Sequence, residues 1–332
     1  MTTHLPQLIA EIGSVHDGSF GNACKLIEAA AACGANAAKF QTHIAEAETL
    51  RDAPSPGYFK GEPRFEYFRR TGFTPAQWKE LRQACTANDV AFLSSPFSIE
   101  AVDLLEEIGV GAYKIPSGEV TNWPLLERVA ATGKPTLLSS GMNSWQELDD
   151  AVDILRRGGP LTVMQCTTAY PCPPERVGLN VIAEMRSRYN LPVGFSDHTN
   201  GMAAAFAAAA LGADVVEKHL TFSRLMYGSD AANAMEPADF RRLADGLSEI
   251  WAMRAAPVDK NDLAPYRDMK RIFEKSVVTA RPLPAGHIIG RADLAFKKPG
   301  DGISASRYRD VIGRRTAHGL PEEHKLADED LA

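Results

Sequence analysis

Short apolar segments alternate with longer amphipathic segments along most of the chain. The apolar segments have the length of strands, and the amphipathic segments have helical periodicity. We predict strands at residues 8–12, 37–41, 91–95, 112–115, 136–139, 162–165, 193–195 and 215–219. The predicted helices are at residues 21–32, 74–88, 99–108, 123–132, 144–157, 180–189, 201–211 and 237–253. Eight strand-then-helix units fit a closed parallel (β/α)8 TIM barrel better than an open sheet.

Glycine and capping residues separate these units in a regular way. Gly34, Gly109, Gly133 and Gly212 each follow a helical segment and precede a strand, as a left-handed helix C-cap requires. Ser144 with Glu147 has the spacing of a capping box. These signals support the predicted helix ends.

The pattern changes after residue 253. Residues 254–275 are charged and contain Pro257 and Pro265, which predicts a linker or arm. Prolines and glycines crowd residues 276–332, which predicts a small domain of short strands and turns. We therefore expect a barrel domain at residues 1–253, a linker at 254–275 and a second domain at 276–332.

Composition limits the class of protein. The 332 residues are 45% hydrophobic and 23% charged, and 36 Lys and Arg against 42 Asp and Glu give a net charge of −6. This excludes collagen-like, disordered and disulfide-framework proteins, and it gives no support for binding nucleic acid or anionic membranes. The start has no signal-peptide pattern, no apolar run reaches membrane-spanning length, and the five cysteines are scattered. We therefore expect a cytoplasmic protein with reduced thiols.

Polar residues stand at the ends of all eight predicted strands. One lysine or serine at a strand end has an ordinary explanation, such as solvent contact or a helix cap. Eight polar ends together favour a polar, anion-binding mouth, because the chemistry of such barrels lies at the carboxyl ends of the strands. The residues, in chain order, are Glu11; Lys39 and Gln41; Ser94 and Ser95; Lys114, Ser117 and Glu119; Ser139 and Ser140; Thr167, Thr168 and Tyr170; Ser196, Asp197 and His198; and Glu217, Lys218 and His219.

These residue types indicate two kinds of ligand. Two lysines with several hydroxyls suit a phosphate or carboxylate group. Two neutral imidazoles with carboxylates suit a divalent metal such as manganese or zinc. His198 and His219 follow adjacent strands, so both could reach one ion, although no local H-x-x-x-H spacing constrains them.

Several segments together carry a family pattern that runs through nearly the whole chain. They resemble the sialic acid synthase (N-acetylneuraminate synthase, NeuB-type) family, and the tail resembles the antifreeze-like SAF domain of the same enzymes. The matching segments are Ile9-Ala10-Glu11-Ile12-Gly13, His16-Asp17-Gly18, Lys39-Phe40-Gln41-Thr42, Lys114-Ile115-Pro116-Ser117-Gly118-Glu119, Ser139-Ser140-Gly141-Met142, Gln165-Cys166-Thr167-Thr168-Ala169-Tyr170-Pro171, Gly194-Phe195-Ser196-Asp197-His198-Thr199, Glu217-Lys218-His219-Leu220-Thr221, Lys298-Pro299-Gly300-Asp301-Gly302-Ile303 and Val311-Ile312-Gly313.

The resemblance implies a reaction. Such enzymes condense phosphoenolpyruvate with an aldose, usually an N-acetylated hexosamine, to give a nonulosonic acid and phosphate by C–O cleavage. The resemblance further implies a domain-swapped homodimer, in which the small domain covers the partner's barrel mouth. It also implies a divalent metal, with Mn²⁺ expected and Mg²⁺, Co²⁺ or Zn²⁺ as alternatives.

The resemblance also implies roles for individual residues. Glu11 is the expected general base or stabiliser of positive charge, with Lys39 and Asp230 as the other catalytic candidates. Gln41, Asp230 and Lys298 are expected to bind the acceptor, and His198 and His219 to bind the metal. The residues expected to bind phosphoenolpyruvate are Lys39, Ser95, Lys114, Ser117, Ser139, Thr168, Tyr170 and Ser196.

Departures from the family pattern lie on the acceptor side. Where the family usually has Asn-His-Asn-Gly, this chain has an altered start before Asp17-Gly18. Ala231 replaces the family's histidine after Asp230, and Ala234 replaces the serine that follows it in the family pattern. Lys298 stands where many relatives have arginine. The acceptor therefore stays open among N-acetylmannosamine, a modified hexosamine of legionaminic or pseudaminic acid synthesis, and an unusual sugar. Residues 58–70 either shape acceptor choice or pack on the barrel rim or dimer interface.

Two other functions are compatible with the same fold. One is a metal-dependent aldolase or lyase that acts on a 2-keto sugar acid, although such an enzyme needs no phosphate-binding lysines. The other is a non-catalytic sugar-binding barrel, which Ala231 and Ala234 favour and the retained Glu11, Lys39, Lys114 and histidines oppose.

Overall fold

The first part of the chain forms a closed parallel barrel, as predicted. The structure is a computed structural model that describes residues 7–55, 62–228 and 230–332. Neighbouring strands pair in chain order, and β8 closes the ring by pairing with β1. The strands are β1 (Leu8–Gly13), β2 (Ala37–Thr42), β3 (Ala91–Pro96), β4 (Tyr113–Ile115), β5 (Thr136–Ser139), β6 (Leu161–Cys166), β7 (Val193–Asp197) and β8 (Val215–His219).

Helices follow the strands on the outside of the barrel. They are α1 (Phe20–Ala32), α2 (Ala45–Glu48), α3 (Arg64–Thr71), α4 (Pro75–Ala87), α5 (Ile99–Ile108), α6 (Trp123–Ala130), α7 (Trp145–Leu155), α8 (Asn180–Tyr189), α9 (Ala203–Ala210) and α10 (Pro237–Ala255). The eight predicted helices correspond to α1 and to α4 through α10. The short helices α2 and α3, between β2 and α4, were not predicted. The part of the 58–70 segment that contains Tyr58 and Phe59 lies outside the described residues.

Local signals set the ends of these helices. Ser144 and Glu147 form the predicted capping box at the start of α7. The four glycines expected at helix ends all have positive φ, and Gly109 is the left-handed C-cap of α5 with φ of +79°. Such a cap favours glycine because other residues crowd their Cβ in this conformation.

Alternation along the strands gives the barrel interior two layers. The lower layer is apolar and comprises Ile9, Ala37, Leu93, Ala112, Leu137, Met164 and Val215. Because side chains two residues apart share one face of a strand, the next inward residues form a second layer. That upper layer is polar and comprises Glu11, Lys39, Ser95, Lys114, Ser139, Cys166, Ser196 and Glu217. The polar layer therefore rests directly on the apolar core.

Pro257–Ala332 is a second compact unit, separate from Met1–Ala256. The expected linker contains the helix α11 (Arg267–Phe273). The rest has an antiparallel pair, β9 (Ser276–Thr279) with β10 (Leu294–Lys297), and the short helix α12 (Tyr308–Val311). The unit has its own apolar core, formed by Val277, Leu283, Ile289, Leu294, Ile303, Val311, Leu320 and Leu326. It is the small domain of short strands and turns that the sequence predicts.

One buried carboxylate stabilises the second unit. Asp293 accepts hydrogen bonds from the Gly290 backbone N–H at 2.9 Å, from His287 at 2.7 Å and from Arg281 at 2.8 Å. Burial opposes its charge, but these three donors lower its pKa to about 2. In the part of the chain that the structure describes, no helix is both long and apolar enough to cross a membrane.

Candidate active site

A polar pocket lies inside the barrel at the carboxyl ends of the strands. Its lining combines the upper layer of the barrel with residues from the loops just above it. The lining residues are Glu11, Lys39, Gln41, Ser95, Phe97, Lys114, Pro116, Ser117, Ser139, Cys166, Tyr170, Ser196, His198, Glu217 and His219. We call this the inner pocket.

Four charged side chains share the floor of the inner pocket. Lys39 Nζ lies 2.6 Å from Glu11 Oε2, and Lys114 Nζ lies 3.0 Å from Glu217 Oε1. A longer contact of 3.8 Å joins Lys39 to Glu217, so the two pairs form one network. All four side chains are at least nine-tenths buried. Two positive and two negative charges cancel, so an anionic substrate must compete with Glu11 and Glu217 for the ammonium groups.

The network keeps Lys39 and Glu217 charged despite burial. Burial disfavours the ammonium form of Lys39, but Glu11 and Glu217 outweigh it and raise the pKa of Lys39. Burial likewise disfavours the Glu217 carboxylate, but Lys114 and Lys39 outweigh it and lower the pKa of Glu217. The Lys39 ammonium group thus stays charged, and an anion can bind it in competition with the carboxylates.

Hydroxyl groups surround the charges. Ser95 Oγ lies 3.4 Å from Lys39 Nζ, and Ser196 donates to Glu217 Oε1 at 3.0 Å. Ser117 Oγ accepts from the Gly141 N–H at 2.8 Å. Ser139 Oγ is buried without a hydrogen-bond partner among the described residues. Buried polar groups normally have partners, so this hydroxyl indicates a ligand position.

Two imidazoles lie at one side of the same pocket. The ring centroids of His198 and His219 are 5.7 Å apart, and the Tyr170 ring lies 4.2 Å from that of His198. His198 Nδ1 donates to the Thr167 carbonyl at 2.8 Å, which leaves Nε2 as the lone-pair nitrogen, 3.3 Å from the Tyr170 hydroxyl. Burial lowers the pKa of both histidines, so both rings are neutral near pH 7.

The two histidines fit a divalent metal by donor type. His198 has its tautomer fixed by a backbone carbonyl, as metal-binding histidines commonly do. His219 Nδ1 is buried and has no hydrogen-bond partner among the described residues. Within those residues, no group of three or more His, Cys, Asp or Glu side chains is placed to hold an ion. The chain would therefore supply two ligands and leave the remaining positions to substrate and water.

A wider, outer pocket continues from the inner one. The two share Gln41, Phe97, Pro116, Ser117, Tyr170 and His219. Phe68, Phe97, Pro116 and Met142 give the outer pocket an apolar wall, and Thr168, Arg64 and Asp230 add polar groups. A Cβ on Gly13, which has φ of +53°, would lie 2.6 Å from Asp230 Oδ2. Glycine at the end of β1 thus lets Asp230 approach the mouth of the barrel.

Comparison with known proteins agrees with this geometry. Residues 26–258 match the NeuB family, and residues 274–331 match the SAF domain. The N,N'-diacetyllegionaminic acid synthase of Campylobacter jejuni is 34% identical over 97% of this chain and 98% of its own length. The human N-acetylneuraminate-9-phosphate synthase is 32% identical over 97% of this chain and 91% of its own length.

The chain belongs to the NeuB family. A solved N-acetylneuraminic acid synthetase from Leptospira borgpetersenii, in complex with citrate, superposes with a TM-score of 0.71 at 28% identity, over 80% of this chain and 91% of that chain. The two relatives named above are synthases, and this chain aligns with each of them over nearly the full length. This NeuB-family chain is therefore an enzyme. The alternative of a non-catalytic sugar-binding barrel is therefore wrong.

The structure brings most of the predicted site residues of this NeuB-family enzyme together. Those in the inner pocket are Glu11, Lys39, Gln41, Ser95, Lys114, Ser117, Ser139, Tyr170, Ser196, His198 and His219. Thr168 and Asp230 lie in the wall of the outer pocket. Lys298 lies in the second unit, where its ammonium group is 4.9 Å from the centre of the Phe273 ring.

Sequence reasoning listed Glu217 among the polar strand-end residues but assigned it no role, and it left His43 and Gly141 out of the candidate site. Glu217 is the acceptor that joins both lysines, and it lies two residues after inward-facing Val215. That alternation could have assigned it to the inward face of β8, beside the lysines. The adjacent Lys218 faces the other way and pairs with buried Asp197 at 2.7 Å. Phe68 and Phe97, which cover His43, come from separate segments, so its environment depends on tertiary structure.

Proposed function

We propose that this NeuB-family enzyme condenses phosphoenolpyruvate with an aldose to give a nonulosonic acid and phosphate. The observation that supports this most directly is the pair of buried lysines at the floor of the inner pocket, below two neutral imidazoles. Lys39 and Lys114, with the surrounding serines, match the phosphate and carboxylate of phosphoenolpyruvate in charge and in hydrogen-bonding type. A plain aldolase would not need them.

The proposed reaction joins two substrates held in adjoining pockets. C3 of phosphoenolpyruvate attacks the aldehyde carbon of the sugar, which leaves positive charge at C2. Water then adds to C2, and the tetrahedral intermediate loses phosphate with cleavage of the C2–O bond. Glu11, 2.6 Å from Lys39, would accept the proton of the water or stabilise the charge at C2. Binding both substrates side by side removes much of the entropic barrier.

A divalent ion is part of this proposal. His198 and His219 would hold it, with Mn²⁺ expected and Mg²⁺, Co²⁺ or Zn²⁺ as alternatives. When bound there, it would supply Lewis-acid polarisation of the aldehyde oxygen. The Thr167 carbonyl, which accepts from His198 Nδ1 at 2.8 Å, would keep that ring oriented.

The acceptor that fits the outer pocket best is an N-acylated hexosamine. Gln41 and Asp230 offer hydrogen bonds to sugar hydroxyls, and the Phe68, Phe97 and Met142 wall suits acyl methyl groups. Both N-acetylmannosamine and di-N-acetylated 6-deoxy hexosamines of the legionaminic and pseudaminic type have such groups. Lys298 would contact the acyl group, although lysine cannot form the bidentate hydrogen bonds of arginine.

A mass-spectrometric acceptor screen tests this function. The enzyme is incubated with phosphoenolpyruvate, Mn²⁺ and a panel of hexoses, N-acetylhexosamines and di-N-acetylated 6-deoxy hexosamines, with the Glu11→Gln variant as the control. We expect one acceptor class to gain a three-carbon acid unit while an equal amount of phosphate appears. No product from any acceptor would contradict the proposal. In a parallel incubation with pyruvate in place of phosphoenolpyruvate, product formation would favour the aldolase alternative.

We also propose that the active form is a domain-swapped homodimer in the cytoplasm. The proposal predicts complementation between two inactive variants, Glu11→Gln and Lys298→Ala. A mixed dimer would contain one site with an intact barrel from one chain and an intact small domain from the other. Recovered activity on mixing, at a dimer mass, would support the swap. No recovery from a mixture proven to contain mixed dimers would refute it.

A further inference from the structure

His43 lies in the wall of the outer pocket with its ring enclosed between two aromatic rings. The ring of Phe68 lies 3.7 Å away by centroids and is tilted by 11°, and the ring of Phe97 lies 4.0 Å away and is tilted by 19°. The His43 side chain is only 5% exposed. Both faces of the imidazole are therefore covered, and the nitrogens must find their partners in the ring plane.

The first nitrogen contacts the amide of Gln41. Gln41 Nε2 lies 2.8 Å from Glu11 Oε1, and His43 Nε2 lies 3.1 Å from Gln41 Oε1. A carboxylate can only accept hydrogen bonds, so the NH₂ group of Gln41 must face Glu11 and its carbonyl must face His43. It follows that His43 Nε2 carries a hydrogen and donates it.

The second nitrogen contacts a buried carboxyl group. His43 Nδ1 lies 2.7 Å from Glu48 Oε1, and the Glu48 side chain is 4% exposed. A hydrogen must lie between two atoms this close. Because Nε2 already carries one, this is a second proton, and the pair is either an imidazolium with a carboxylate or an imidazole with a carboxylic acid. In both forms the pair is neutral overall, holds this proton, and has both imidazole nitrogens engaged.

The position of these residues follows from the backbone. Lys39, Gln41 and His43 are two residues apart, so they form one row that rises from the floor of the inner pocket to the rim. The single-turn helix α2 begins two residues later and brings Glu48 back against the ring. Other titratable groups near the pair are His16, which interacts with His43, and Glu119, which interacts with Glu48 and with Arg64.

We propose that His43, held by Glu48, is a positioning residue for Glu11. Through the Nε2–H it fixes the amide of Gln41, so that the NH₂ group of Gln41 is directed at Glu11 and holds that carboxylate beside Lys39. Its own nitrogens are both engaged, so His43 itself does not exchange protons with substrate. The effect on rate rests on the proposed function, in which Glu11 acts at C2.

Two substitutions separate the hydrogen bonds from the stacking. His43→Phe keeps an aromatic ring between Phe68 and Phe97 but removes both nitrogens. Glu48→Gln keeps the geometry, because an amide NH₂ can donate to Nδ1 of a neutral imidazole and leave Nε2–H on Gln41. Ser144→Ala, which removes the side-chain cap of α7 on the barrel surface, is the control for general destabilisation.

We expect His43→Phe to lower kcat about 10–100-fold, because small misplacements of a catalytic group have effects of this size. The KM for phosphoenolpyruvate should stay within about threefold, since Lys39 and Lys114 are untouched. Glu48→Gln should retain about a third or more of kcat, and Ser144→Ala should match the wild type. Unchanged kcat in His43→Phe, or equal losses in His43→Phe and Glu48→Gln, would overturn the proposal.

A second measurement does not depend on activity. The wild type is labelled with nitrogen-15 at histidine, and the His43 signals are those missing from the spectrum of His43→Phe. These signals should show a hydrogen on Nε2 and a strongly hydrogen-bonded hydrogen at Nδ1. A neutral His43 with its hydrogen on Nδ1 alone would overturn the positioning role even in an active enzyme. If the spectra agree but no sugar acid forms from phosphoenolpyruvate, the proposed function fails and the His43–Glu48 arrangement stands.

Discussion

Glu217 is the residue on which the charge balance of the inner pocket depends. Its Oε1 lies 3.0 Å from Lys114, 3.0 Å from Ser196 and 3.8 Å from Lys39. The variant Glu217→Gln keeps an oxygen acceptor of the same shape but removes the negative charge. The floor then contains two ammonium groups and one carboxylate, a net charge of +1.

The size of the effect follows from the burial of the network. Removing one partner of a buried ion pair destabilises proteins by about 3–5 kcal/mol, and the retained oxygen places Glu217→Gln near the lower end, about 3 kcal/mol. A phosphate-bearing ligand replaces the missing charge. Any ligand at 100 times its Kd stabilises the folded state by about 2.7 kcal/mol. The uncompensated ammonium group of the variant should bind the phosphate more tightly and so lower the Kd for phosphoenolpyruvate. At the same ligand concentration, the variant should therefore be stabilised by at least about 1 kcal/mol more than the wild type.

Urea unfolding with tryptophan fluorescence measures this difference in the barrel alone. All four tryptophans, Trp78, Trp123, Trp145 and Trp251, lie in Met1–Ala256. The control is Glu107→Gln, which breaks an exposed 2.7 Å pair with Lys79 and should change stability by less than about 0.5 kcal/mol with or without ligand. The reasoning would be refuted if the free energy of unfolding of Glu217→Gln were less than about 1 kcal/mol below that of the wild type, or if phosphoenolpyruvate did not reduce this difference.

Four further changes have defined outcomes. Lys114→Ala removes a charged donor and should raise the KM for phosphoenolpyruvate about 10–100-fold in steady-state assays with little change in acceptor KM. His219→Ala should lose bound divalent metal in equilibrium dialysis and nearly all turnover, while its melting temperature shows that it is folded. Gly141→Ala places a Cβ 2.6 Å from Ser117 Oγ and closer still to Thr168 Oγ1, so the same assays should show a raised KM for phosphoenolpyruvate. The folded-state pKa of Asp293, about 2, is below its ordinary value of 3.8, so its stabilisation is present above pH 4 and is lost as the pH falls through about 2. Hydrogen exchange at pH 7 should therefore show that Asp293→Asn destabilises the second unit by on the order of 2 kcal/mol, and equal protection in both proteins would contradict this.

Much of the barrel could be predicted from the sequence, because its strands and helices have the hydrophobic periodicity that their positions in the fold require. The strands at residues 136–139 and 215–219 and the helices at 99–108 and 180–189 were predicted to the residue. Inward alternation also predicts that Glu11 and Lys39 share a pocket, since each lies two residues after an apolar interior residue. Periodicity and strand-end position were sufficient for these features.

Other features depend on contacts between distant segments and have no local signal. The helices α2 and α3 are short, with four and eight residues, so periodicity could not reveal them. The enclosure of His43 needs Phe68 on α3 and Phe97 after β3, which are 29 residues apart in the chain. The central role of Glu217 depends on Lys114, 103 residues away, which only closure of the barrel brings within 3.0 Å.

The most direct test of the account follows one oxygen atom. Phosphoenolpyruvate labelled with oxygen-18 at the bridging position is incubated with the enzyme, Mn²⁺ and the acceptor identified by the screen. We predict that all of the label appears in inorganic phosphate, in an amount equal to the sugar acid formed, and that no phosphate is released without acceptor. Label retained in the sugar acid, or phosphate release that does not depend on the acceptor, would contradict the proposed condensation.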